Sequence, residues 1–252
     1  MIRNPRRAVA MLGLLGLGLV ATPLAAGCGS ASAATATATA TARPATSTGD
    51  TTAPAAAPYR VTTRTERGTL RPGADYTITI PVLAGPDQNV VRRVNRAVLA
   101  YVNEERNQTA DATLTLTAGS PHVGTTVLAL SFGGDRYPPG AAHPTELATG
   151  LVFDLRTGDR IRIEDVFTST DAGLRRLAAI VRPELDRRFP GGPTGGVADP
   201  VSANYEQFVV TPRGLVVIVS DLPYVLGPQS VLAPWERLGD LVRPDLAAAL
   251  RS

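Results

Sequence analysis

Between Gly29 and Pro58 the chain holds almost nothing but Ala, Thr, Ser, Gly and Pro, alternates Ala with Thr through its centre, and carries neither an aromatic nor a large aliphatic side chain. Such a tract cannot bury enough apolar surface to offset the entropy of ordering it. Alternating threonines and several prolines also oppose a helix built on its alanines. The tract therefore divides the sequence into a leader (1–27), a disordered tether headed by Cys28 (28–58) and a foldable segment (59–252). The last is long enough for one domain with a substantial core, or for two small lobes that pack together. As a flexible coil the tether spans about 30 Å, and stretched as polyproline II about 90 Å. A stalk so rich in threonine is also open to glycosylation.

The leader explains what the tether is for. Arg3, Arg6 and Arg7 precede an apolar run from Ala8 to Val20, and small residues then lead into Cys28. The apolar run is shorter than the roughly 20 residues a spanning helix needs, so this is a secretory signal. Leu24-Ala25-Ala26-Gly27-Cys28 resembles the bacterial lipobox, whose cysteine is lipidated and becomes the mature N-terminus. Cys28 is also the one cysteine in the sequence, which rules out an intramolecular disulfide framework. The expectation is a lipoprotein signal peptide (1–27), lipidation at Cys28 and a protein held on the outer face of the cytoplasmic membrane; the alternative is ordinary cleavage and free secretion. Arg6-Arg7 leaves general and twin-arginine export both open.

Processing also changes the charge. The formal net charge is +3, but three of the 25 basic residues and none of the 22 acidic ones precede Cys28, so the remainder is balanced at 22 of each. A nucleic-acid partner is not expected from such a chain.

Within 59–252 the pattern changes repeatedly. Tyr76, Ile78, Ile80 and Val82 alternate with threonines as a half-buried strand. From Asp87 to Arg106 the period becomes helical, with Val91, Val94, Val98 and Val102 on one stripe. Strands are predicted over 112–118 and 123–132, followed by a turn-rich break over 133–145. Two hairpins come next, turning at Thr157-Gly158-Asp159 and Pro212-Arg213-Gly214. Between them lies a helix over 171–189 that Pro183 should kink or split. Residues 190–200, rich in Gly and Pro, are expected to be mobile, and a short helix from Pro234 closes the chain. The fold class is α+β: mixed, largely antiparallel sheets with two main helices and a short C-terminal helix.

The order of these pieces resembles a known arrangement. A strand ending in Pro81 followed by a helix containing Val94-Asn95 is similar to the N-terminal half (here 59–120) of the extracytoplasmic domain of the sigma-V anti-sigma factors, a half also found before the catalytic domain of some peptidoglycan deacetylases. Gly140-Ala141-Ala142-His143-Pro144, Phe153-Asp154-Leu155-Arg156-Thr157-Gly158, Ile163-Glu164-Asp165-Val166-Phe167 and Pro223-Tyr224-Val225-Leu226-Gly227 follow the order of the C-terminal half (here 121–252), an uncharacterised-domain family shared with a mycobacterial secreted immunogenic protein. The resemblance implies a stand-alone extracytoplasmic domain, since the sigma-binding and deacetylase parts are not expected here. In the anti-sigma factors that domain binds lysozyme, so it points to a lysozyme-like protein or a cell-wall glycan as partner.

The inventory for chemistry is thin. There are two histidines, His122 and His143, and no thiol apart from Cys28, so neither a metal site nor a cofactor is expected. No nucleophile elbow, phosphate loop or dinucleotide fingerprint occurs. The chain is not expected to be an enzyme; a peptidoglycan-modifying enzyme, or an accessory to one, is the alternative. Asp154 and Asp165 flank hairpin strands, where carboxylates commonly satisfy backbone donors. The candidate ligand-binding residues are Asp135, Tyr137 and His143, placed in one loop, together with Tyr224. Tyr224 and Trp235 form either an aromatic recognition surface or part of the core.

Overall fold

The computed structural model describes residues 58–251 apart from residues 110, 193 and 194. The leader, Cys28 and the tether up to residue 57 lie outside the described residues. The architecture is α+β, with mixed sheets, two long helices and short helices at the C-terminal end.

β1 (Arg60–Arg71) and β2 (Ala74–Ala84) form an antiparallel hairpin. From β2 the chain crosses through α1 (Gln88–Gln108) to β3 (Thr113–Ala118), which runs parallel to β2. Asp87 starts α1 by accepting hydrogen bonds from the Asn89 and Val90 amides, satisfying donors that a helix start leaves open. β3 and β4 (His122–Val123) then pair with successive stretches of β5 (Val127–Tyr137), and β6 (Thr145–Asp154) pairs with nearly all of it. After α2 (Ile163–Val166) and α3 (Thr170–Arg188), a second sheet forms as a meander of β7 (Phe208–Thr211), β8 (Gly214–Val219) and β9 (Gln229–Pro234). α4 (Trp235–Leu238) and α5 (Pro244–Leu250) end the chain.

Two apolar clusters meet across the β5–β6 pair. On one face Leu128, Leu130, Leu151 and Phe153 pack with Val90, Val94, Val98 and Val102 of α1. On the other, Val127, Ala129 and Val152 join Leu177, Val181 and Leu185 of α3 and the inner face of the second sheet. Burial on both faces is why the 127–132 stretch is apolar without alternation, although the expected strand over 123–132 begins only at Val127, Val123 belonging to β4 and lying exposed.

Several expectations need correction. The valine stripe of α1 begins at Val90, and Val91 is only half-buried. In β2 the alternation slips at Pro81, which is buried next to Ile80, leaving Val82 half-buried and Leu83 buried. The first hairpin is cut short: past Asp159 the chain makes a single bridge, Arg160 to Phe153, and then turns into α2, where the Asp165 carboxylate accepts from the Arg162 amide at 2.9 Å. Pro183 does not split α3. The carbonyl it deprives of a partner belongs to Ala179, and both residues face solvent, so water can take the lost hydrogen bond. The single closing helix is instead two, interrupted at Gly239, whose φ of +45° leaves the helical region.

The stretch expected to be mobile is fastened at its far end. Tyr205, fully buried, donates from its hydroxyl to the Ala198 carbonyl at 2.9 Å, and the Asn204 amide donates to the carbonyls of Gly196 and Asp199. Burial pushes the Tyr205 hydroxyl pKa up to about 12, so it stays a donor.

Candidate functional site

The break expected over 133–145 is shorter than its glycines suggest. β5 runs on through Gly133 and Gly134 to Tyr137, which places Asp135 and Tyr137 on a strand and leaves only residues 138–144 as the connection to β6. That strand sorts its side chains by face. Leu128, Leu130, Phe132 and Arg136 face α1, where the Arg136 guanidinium donates to Glu105 at 2.8 Å and to the Thr109 hydroxyl at 2.9 Å. Burial raises the Glu105 pKa, and the Arg136 charge opposes that rise. Tyr101 packs on the same side against Phe132, and burial pushes its hydroxyl pKa up to about 12.

Asp135 and Tyr137 take the opposite face. Directly across from Asp135 in the β5–β6 register stands Glu146. Over this end of the pair lies the turn Tyr224–Leu226, ended by Gly227. A Cβ on Gly227 would come within 3.2 Å of the Glu146 carboxyl carbon, and its φ of +57° also disfavours any other residue.

The decisive contact joins the connection to that turn. The His143 and Tyr224 rings stack with centroids 3.3 Å apart and planes 13° from parallel. Tyr224 remains 51% exposed and its neighbour Val225 80%, so the stack stands at the surface. The Tyr137 hydroxyl donates to the Ala141 carbonyl at 3.1 Å, bracing the connection that carries His143. His143 and Tyr224, 81 positions apart in sequence, are thus in contact. Tyr137 is tied to the same connection, and Asp135 lies further along the same strand face. Glu146 belongs with them and has no signal in the sequence, because only the strand register brings it opposite Asp135.

Other candidates separate from this face. Trp235 is buried, its indole N–H donating to the Thr211 carbonyl at 2.9 Å, so it belongs to the core and not to a recognition surface. The Asp154 carboxylate accepts from the Arg156 amide and guanidinium, and Asp165 caps α2; both serve backbone turns. His122 lies on β4 with a buried Nε2 that has no hydrogen-bond partner among the described residues. Among those residues His143 makes no hydrogen bond to a serine or a carboxylate, and no three His, Cys, Asp or Glu side chains gather as a metal site. No helix among them is long and apolar enough to cross a membrane.

No family model matches the sequence, and no curated protein matches it. Solved structures do. The fold resembles that of DUF3298 proteins. The crystal structure of a DUF3298 family member from Bacteroides fragilis superposes with a TM-score of 0.57 at 15% identity, covering 79% of this chain and 98% of that one. A DUF3298 family protein from Pseudomonas aeruginosa PAO1 gives 0.53 at 15% identity, covering 75% and 97%. At that identity the likeness is one of fold, and function must be argued from the site.

Proposed function

We propose that this chain is an exported lipoprotein, anchored through Cys28 to the outer face of the cytoplasmic membrane, whose domain binds a protein or cell-wall ligand. The observation that carries the binding role is the exposed His143–Tyr224 stack. Two flat rings held together at a surface, with Val225 beside them, are preordered apolar area that loses little entropy on binding. The carboxylates of Asp135 and Glu146 lie on the neighbouring strand face and suit sugar hydroxyls or basic side chains. The anchor and tether supply a location from which such a face reaches wall material. Resemblance to the extracytoplasmic domain of the sigma-V anti-sigma factors makes a lysozyme-like protein the first partner to try.

The test is capture of lysozyme and of muropeptides by the full chain in detergent, compared with Tyr224→Ala and His143→Ala. Saturable capture of either ligand by the parent, lost in both variants, is the expected result. Capture of neither, or capture indifferent to both substitutions, contradicts the proposal.

A further inference from the structure

A second site, independent of the aromatic face, lies beside Gly150, where β6 approaches β7. Between the β6–α2 connection and the approach to β7 is a cavity of about 330 Å³ lined by Arg160, Arg162, Ile163, Glu164, Glu206 and Gln207. Its walls are fixed to each other. The Gln207 side-chain oxygen accepts from the Gly150 amide at 3.3 Å, and the Arg160 guanidinium donates to the Gly150 carbonyl at 3.2 Å. At Gly150 the backbones of β6 and β7 approach so closely that a Cβ would strike the Phe208 carbonyl.

The charges around this space are left apart. Nearby arginines close ion pairs, as Arg93 does with Asp159 and Arg156 with Asp154, both across short surface distances. Yet none of Arg160, Arg162, Glu164 and Glu206 forms an ion pair with another described residue, although all four border one cavity. Partial burial and the charge of Arg162 lower the Arg160 pKa, with Glu206 acting against them. An anion seated beside the two guanidinia would relieve that repulsion, and a cation could be held by the Glu164 and Glu206 carboxylates.

We infer that this cavity binds a small zwitterion, a free amino acid or a dipeptide, with its carboxylate toward Arg160 and Arg162 and its ammonium toward Glu164 and Glu206. The volume stands at the small end of ligand pockets and suits one or two residues. Gln207, whose oxygen is engaged by Gly150, keeps its amide N–H groups as donors for a ligand carbonyl.

The test is calorimetric titration of the full chain with alanine, alanyl-alanine, N-acetylalanine and alaninamide, each to about 10 mM, beyond which binding is too weak to be specific. Alanine or alanyl-alanine should bind saturably, and whichever binds tells a free amino acid from a dipeptide. Each blocked analogue, lacking one charge, should bind about tenfold more weakly or worse. Arg162→Gln and Glu206→Gln should each cost about tenfold while leaving the unfolding curve in place, and Glu206→Gln should no longer favour alanine over N-acetylalanine. No saturable binding by either zwitterion, or equal binding by the blocked analogues, overturns the inference. Because Tyr224→Ala leaves this cavity intact, its failure and that of the aromatic face are separately readable.

Discussion

His143 and Tyr224 lie ring on ring, centroids 3.3 Å apart, although one belongs to the β5–β6 connection and the other to the turn before β9. Neither ring belongs to the core, so the pair ties two surface segments without holding up the fold. Tyr224→Ala should therefore cost less than about 1 kcal/mol in urea unfolding. The same substitution should abolish ligand capture. A loss of several kcal/mol would make the stack structural.

Gly150 marks a close approach between the two sheets. A methyl group there would sit 2.0 Å from the Phe208 carbonyl oxygen, a backbone atom that cannot rotate away. Gly150→Ala should cost about 3 kcal/mol. Gly133→Ala, on β5, adds a methyl whose nearest neighbour is the Leu147 carbonyl oxygen at 3.9 Å, and should be neutral or stabilising by about 0.5 kcal/mol. Equal midpoints for the two variants in denaturant would contradict the close approach.

Tyr205 fastens the 195–204 stretch through one hydrogen bond to Ala198, both residues being buried. Tyr205→Phe keeps the ring and strands the carbonyl, so a loss of about 1–2 kcal/mol is expected. Faster hydrogen exchange in residues 196–204 should accompany it. Unchanged exchange would mean that Asn204 and the Arg182–Asp199 pair suffice to hold the stretch.

Much of this architecture is written in hydrophobic period. α1 shows its valine stripe, and β5 its doubly apolar run, because each is decided by burial on known faces. β1 was not legible: as an edge strand with Thr, Arg and Glu largely in water, it has no apolar alternation to display. β9 was missed for a similar reason, since only Val231 and Ala233 of its six residues are buried. The loop assignment of Asp135 and Tyr137 failed because Gly133-Gly134 reads as a turn, whereas Gly134 is there so that β5 can pass the Thr115 carbonyl of β3. His143 was visible as a loop residue, and Tyr224 as part of either a recognition surface or the core. Their contact was not, because it depends on how the second sheet seats against β6.

Asp154 gives the fold a pH dependence with a definite sign. Burial acts to raise its pKa, but hydrogen bonds from the Arg156 side chain and amide outweigh it and hold the carboxyl below its usual 3.8. Its stabilisation is present above pH 3.8 and is lost as pH falls through the lower, folded-state value. Arg156 is half-exposed, which screens the pair, so Asp154→Asn should cost about 0.5–1 kcal/mol near neutral pH. Urea midpoints of parent and variant should converge in acid below that range. A gap that persists or widens there would contradict the assignment.

The proposed location of the domain rests on Cys28. The direct measurement is fractionation of cells making the full chain or its Cys28→Ser variant, followed by detergent extraction of the membrane pellet. The parent should sediment with membranes and be released by detergent, while Cys28→Ser should appear in the medium or accumulate as the larger, unprocessed precursor. Identical size and distribution of the two chains would contradict a lipid anchor at Cys28.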